Sequence, residues 1–125
     1  MEQVTTKRRV LGQVMVCNGC CCGRTEKGKP GIPMDRLKSR WKEEKLLKSV
    51  QLTITGCLGP CDIANVVSIQ TPEGPIWLGR IEEEADYDAL IDWAIASRDE
   101  ERLQALPERL LKYRFERFSA EAVVK

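Results

Sequence analysis

Six cysteines and no histidine set the chemistry open to this 125-residue chain, and all six thiols lie in two short stretches. The first is Cys17-Asn18-Gly19-Cys20-Cys21-Cys22-Gly23, and the second is Gly56-Cys57-Leu58-Gly59-Pro60-Cys61. Thiolates are soft ligands suited to iron–sulfur clusters and to zinc. A [2Fe–2S] cluster takes four of them, two on each iron. Cys57 and Cys61, spaced by three residues on a loop of Gly and Pro, suit one such pair. Gly56 and Gly59 allow close backbone approach and can turn N–H groups toward sulfur. In the other stretch Cys17 is the natural first ligand because it ends a β-rich run, and its partner is Cys20, Cys21 or Cys22. The residues thus predict two distant loops that meet around an iron–sulfur cluster.

The absent histidine removes whole classes of site. A Rieske centre, a His-ligated haem and a Ser-His-Asp triad all need it. Cys17-x-x-Cys20 is followed by Cys21, which also excludes c-type haem attachment. There is no Walker loop, no dinucleotide fingerprint and no nucleophile–base pair, so the chain reads as a carrier and not as an enzyme. With 42% hydrophobic and 31% charged residues it has the make-up of one ordinary globular domain. A net charge of +1 shows no bias toward nucleic acid or membrane. No apolar run approaches the ~20 residues of a membrane span. The start of the chain lacks the apolar segment of a signal peptide. The expected compartment is therefore the cytoplasm, where six thiols point to metal or redox chemistry and not to disulfides.

Several elements must position these loops. Residues 1–9 are polar and read as a loose tail. Val10 to Val16 is a β-rich run that delivers the chain to Cys17. A long Gly-rich loop follows, carrying Arg24, Lys27 and Lys29. Met34 to Lys48 has a helical apolar stripe with Leu37 and Trp41, and Pro33 suits its first turn. Val50 to Thr55 alternates strictly, with Val50, Leu52 and Ile54 on one face, and runs into Gly56-Cys57. Val66 to Ile69 and Ile76 to Leu78 form a hairpin across a Pro/Gly turn. Glu82 to Arg98 is a second helix with Tyr87, Leu90, Ile91 and Ala94 on its buried face. Asp99 to Phe118 continues with helical spacing of Leu103, Leu106, Leu110 and Tyr113, interrupted by Pro107. The prediction is an α/β (α+β) domain over 10–98, with a mixed four-stranded sheet and two packed helices. A C-terminal helical extension occupies 99–125, and its end from Ser119 on is expected to fray.

Cys17-x4-Cys22, a gap of 34 residues, and then Gly-Cys-Leu-Gly-x-Cys resembles the thioredoxin-like [2Fe–2S] ferredoxins. It is also similar to the small [2Fe–2S] subunit of respiratory complex I. The resemblance spans roughly residues 10–98, and Gly-Cys-Leu-Gly-Pro-Cys is its most specific part. It implies a thioredoxin-like fold and a cluster on Cys17, Cys22, Cys57 and Cys61. This chain departs from the family's pattern by carrying Cys20 and Cys21 as well, so the second ligand is Cys22, then Cys21, then Cys20 in order of preference. The resemblance further implies a homodimer that passes single electrons to a redox partner protein. The run Cys-Asn-Gly-Cys-Cys-Cys-Gly-Arg is similar to stand-alone bacterial ferredoxins associated with cobalt chelation and cobalamin synthesis.

Two other readings compete. Four thiolates also suit a structural zinc site, although Cys-x3-Cys on a Gly-Pro loop is unusual for zinc. A thiol–disulfide oxidoreductase could use Cys17-x-x-Cys20 on a thioredoxin-like scaffold, but it leaves Cys57 and Cys61 without a role. Arg24, Lys27 and Lys29, next to the first cysteine loop, are candidates to stabilise cluster charge or to dock an acidic partner.

Overall fold

Alternation of side chains builds the centre of the molecule. The computed structural model describes residues 4–119. Strand β1 (Gly12–Cys17) pairs in parallel with β2 (Val50–Thr55), and Val14 faces Leu52 while Cys17 faces Thr55. On its other side β1 pairs antiparallel with β3 (Val67–Thr71), which forms a hairpin with β4 (Gly74–Leu78). One face of the sheet carries Val14, Val16, Val50, Val67, Ile69 and Leu78, all buried in a single core. The other face carries polar pairs, with Gln13 Nε2 donating to Thr53 Oγ1 at 2.8 Å and Gln70 Nε2 to Ser68 Oγ at 2.8 Å.

Helices α1 (Met34–Glu43) and α2 (Glu84–Glu100) supply the second layer. Leu37 and Trp41 of α1 and Tyr87, Leu90, Ile91 and Ala94 of α2 pack into the same core. Trp41 is a core residue whose indole N–H donates to the Val50 carbonyl at 2.7 Å, so its polar atom is satisfied on burial. The order β-α-β-β-β-α is a parallel βαβ unit joined to an antiparallel ββα unit, the thioredoxin-like arrangement expected for this chain. Among the described residues no helix is long and apolar enough to cross a membrane.

The structure corrects two helical readings. The first helix stops at Glu43 and does not reach Lys48; Lys45 turns the chain at φ 54° and a 3-10 turn, Leu46–Lys48, buries Leu46. The larger correction concerns 99–118. In place of a long third helix, α2 ends at Glu101 with φ 55°, and the chain runs without regular structure to Pro107. The short α3 (Glu108–Leu111) and a two-residue strand β5 (Arg114–Phe115) follow, and β5 adds a fifth strand beside β4. Two interactions hold the irregular stretch: Trp93 Nε1 donates to the Gln104 carbonyl at 2.7 Å, and the Gln104 N–H donates to Ser97 Oγ at 3.0 Å. Pro107 has no N–H for a continuing helix. Leu106 and Leu110 still reach the core, so the apolar spacing reports burial without reporting helix. The expected fraying beyond Ser119 lies outside the described residues.

Candidate metal centre

Both cysteine loops leave the same end of the sheet, because β1 and β2 are parallel and in register up to Cys17 and Thr55. That adjacency brings together thiols far apart in sequence. A Cβ built at Gly19 would lie 3.9 Å from both the Cys57 nitrogen and the Gly56 Cα, so the two loops lie close together.

The first loop is tied down by its backbone. The Cys17 N–H donates to the Val66 carbonyl at 3.1 Å, and the Asn18 N–H to the Thr55 carbonyl at 2.9 Å. Gly19 and Cys22 exchange both their hydrogen bonds, closing a tight bend around Cys20 and Cys21. Cys17 and Cys22 are buried, whereas Cys20 is exposed. Fully buried Asn65 fixes the far side of the bend: its Oδ1 accepts from the Gly23 N–H at 2.7 Å and its Nδ2 donates to the Pro30 carbonyl at 2.8 Å. No spacing rule singles Asn65 out, since its partners lie 42 and 35 positions away. Asn65→Ala leaves a buried donor and acceptor unpaired and should destabilise the protein by about 1–3 kcal/mol. Urea denaturation checks this, and a loss below ~0.5 kcal/mol would contradict the role given to Asn65.

In the second loop the sulfurs of Cys57 and Cys61 are 3.0 Å apart, and the Gly59 N–H donates to Cys57 Sγ at 3.3 Å. The Cys61 thiol and then the Gly59 N–H hold Cys57 below the ordinary thiol range. Cys61 is pushed up to about 12, first by sharing its proton with Cys57, then by burial and by the neighbouring Cys20 thiol. Cys22 is likewise pushed up to about 12, by burial first and by the Cys17 thiol second, with Cys57 adding to the effect. The thiols thus form two close pairs, Cys17 with Cys22 and Cys57 with Cys61, and Cys20 stands beside the second pair. Among the described residues no three His, Cys, Asp or Glu side chains are grouped to hold a single metal ion.

Around the thiols lies a small apolar group of Cys17, Cys22, Ala64 and Val66, with Trp77 packed against it. The Trp77 Nε1 is buried and has no hydrogen-bond partner among the described residues. The basic residues expected to serve this site are partly engaged: Arg24 pairs with Glu26 at 3.3 Å, and Lys27 donates to the Cys20 carbonyl at 2.8 Å.

The chain has a thioredoxin-like topology with both cysteine loops at one end of its sheet. No protein-family model matches the chain, and no curated protein matches it in sequence. Among solved structures it is similar to the thioredoxin-like [2Fe–2S] ferredoxin of Aquifex aeolicus. One structure of that protein is 20% identical over 78% of this chain and 99% of its own, with a TM-score of 0.44. Another is 18% identical over 93% of this chain and 100% of its own, with a TM-score of 0.49.

Proposed function

We propose that this protein is a one-electron carrier with a [2Fe–2S] cluster held by Cys17, Cys22, Cys57 and Cys61. The observation that carries this reading is the closeness of the two cysteine loops, 34 residues apart in sequence, at one end of the sheet. Two pairs match a centre with two metal atoms and two thiolates on each. Cys22 is favoured over Cys20 and Cys21 because it is buried beside Cys17 and lies near Cys57. When bound, the cluster supplies reversible uptake of a single electron. The chain's own residues orient the thiolates, shield Cys17 and Cys22 from water, and donate the Gly59 N–H to Cys57. Binding also requires Cys22 and Cys61 to give up the protons that their surroundings favour, an outlay that the metal–sulfur bonds must exceed.

Anaerobically purified protein, reconstituted with iron and sulfide, should be red-brown and should bleach on addition of dithionite. A colourless protein with stoichiometric zinc after that treatment would overturn the reading. So would a metal-free protein with a titratable disulfide. The disulfide reading through Cys17 and Cys20 has little support, because Cys17 lies beside Cys22 while Cys20 lies beside Cys61.

The redox partner in this proposal is a protein with an acidic docking face, met by exposed Arg24 and Lys27 and half-buried Lys29. The carrier works as a homodimer in the cytoplasm and serves cobalt chelation and cobalamin synthesis. Light scattering that shows only monomer would remove the dimer. Failure of every cobalt chelatase or corrin-modifying enzyme tested to accept its electrons would remove the pathway.

A further inference from the structure

We infer that Arg117 supplies the positive charge that balances the thiolate centre, carried to it by the C-terminal segment and not by the cysteine loops. This rests on the cluster reading above. Gly59 lies between Cys57 and Cys61, and a Cβ added there would fall 2.6 Å from a terminal nitrogen of the Arg117 guanidinium. With φ at 119°, Gly59 occupies backbone space that other residues rarely enter, and the missing side chain makes room for the arginine.

The guanidinium is held in place by aromatic faces. It lies 5.6 Å from the Trp77 ring centroid and 5.7 Å from that of Phe118, within cation–π range. Phe115 and Phe118 each approach Trp77 with centroids 6.1 Å apart. Pairing of Trp77 with Phe115 across β4 and β5 sets Arg117 two residues further on, over the same indole. Trp77 also packs against the buried group containing Cys17 and Cys22. One aromatic platform therefore links the cation to both cysteine loops. Among the described residues no carboxylate pairs with Arg117, whereas Arg24 is paired with Glu26.

An electron added to the centre adds one negative charge beside this cation. The cation stabilises the reduced form more than the oxidised form, and so raises the reduction potential. Arg117 is exposed, so its field is screened by salt.

The test is a spectroelectrochemical titration of cluster-loaded wild type, Arg117→Gln, Arg117→Glu and Arg24→Gln, at low salt and at 1 M salt. Iron content and the visible spectrum confirm equal loading. Arg117→Gln should weaken reduction on the order of tenfold, a one-electron shift of about 59 mV to lower potential. Arg117→Glu should lower it further, Arg24→Gln should move it less, and the differences should shrink at 1 M salt. An unchanged potential in loaded Arg117→Gln overturns this assignment and leaves the cluster reading standing. Equal shifts in the Gln and Glu variants that ignore salt also overturn it, because they report altered packing and not charge. Wild-type protein that takes up no cluster overturns the reading beneath, and this inference with it.

Discussion

Cys57→Ala is expected to abolish assembly of the centre, with iron and sulfide in the reconstituted protein falling at least tenfold and the visible absorption lost. Cys57 is the thiol on which the site converges. It shares a proton with Cys61 at 3.0 Å, accepts the Gly59 N–H and lies close enough to Cys22 to influence it. Removing it leaves the second loop with a single thiolate to offer the proposed centre, and no histidine exists to take its place. Cys22→Ala should fail in the same way, because it removes the buried partner of Cys17. Cys21→Ala should load normally, and so should Cys20→Ala. Iron and sulfide assays on the four variants decide the ligand set. Full loading of Cys22→Ala with none in Cys20→Ala would transfer the second ligand to Cys20, which already lies beside Cys61.

Asp86→Ala should cost about 1.5–3 kcal/mol of folding stability, the range for losing hydrogen bonds to a charged group, because Asp86 is buried while its partner Arg109 is 40% exposed and regains water. Asp86 is buried at the start of α2 and is the hub between that helix and the C-terminal segment. Its carboxylate accepts from Arg109 Nε at 2.7 Å, from the Tyr113 hydroxyl at 2.6 Å and from the Glu83 N–H at 3.0 Å. Burial by itself would raise the pKa of this carboxyl. Its hydrogen bonds to Tyr113 and Arg109 outweigh that and hold it below the ordinary carboxylate range. The Tyr113 hydroxyl is pushed up to about 12, by burial first and by Asp86 second, so it remains a donor at neutral pH. The depressed pKa sets the sign of the pH dependence. Stability from ionised Asp86 is present above the unfolded value of about 3.9 and is lost as pH falls through the lower folded value. The gap between wild type and Asp86→Ala should therefore be constant near neutrality and narrow below about pH 4. Urea denaturation at a series of pH values measures it, and a gap that widens on acidification would contradict the account.

The same network bears on the site. Asp86 anchors Arg109 and Tyr113, and the chain leaving Tyr113 forms β5 and then places Arg117 over Trp77. A residue at the start of a helix thus holds in place the segment that brings a cation to the cysteine loops.

Much of this architecture is written in local pattern. Alternation in Val50–Thr55 marks one strand and its buried face, because successive side chains in a strand must point to opposite sides. Leu37 and Trp41, four positions apart, mark the buried stripe of α1 for the corresponding helical reason. The clustering of all six cysteines in two loops identifies the candidate site without any structure, since no cysteine lies elsewhere and the chain has no histidine. Periodicity misleads at 99–118, where leucines at helical spacing serve an irregular stretch and a short helix. Burial repeats at those steps there, and Pro107 together with the bonds from Trp93 and Ser97 overrides local preference.

Composition and spacing by themselves determined the two loops that carry the cysteines and most of the elements beneath them. Only the tertiary structure decided which thiols stand beside which. Parallel pairing of β1 with β2 places their two loops side by side, and that pairing is a long-range contact which no window of sequence contains. The same holds for Asn65, Trp77 and Arg117: each reaches the site across tens of residues, through a fold that brings distant backbone together.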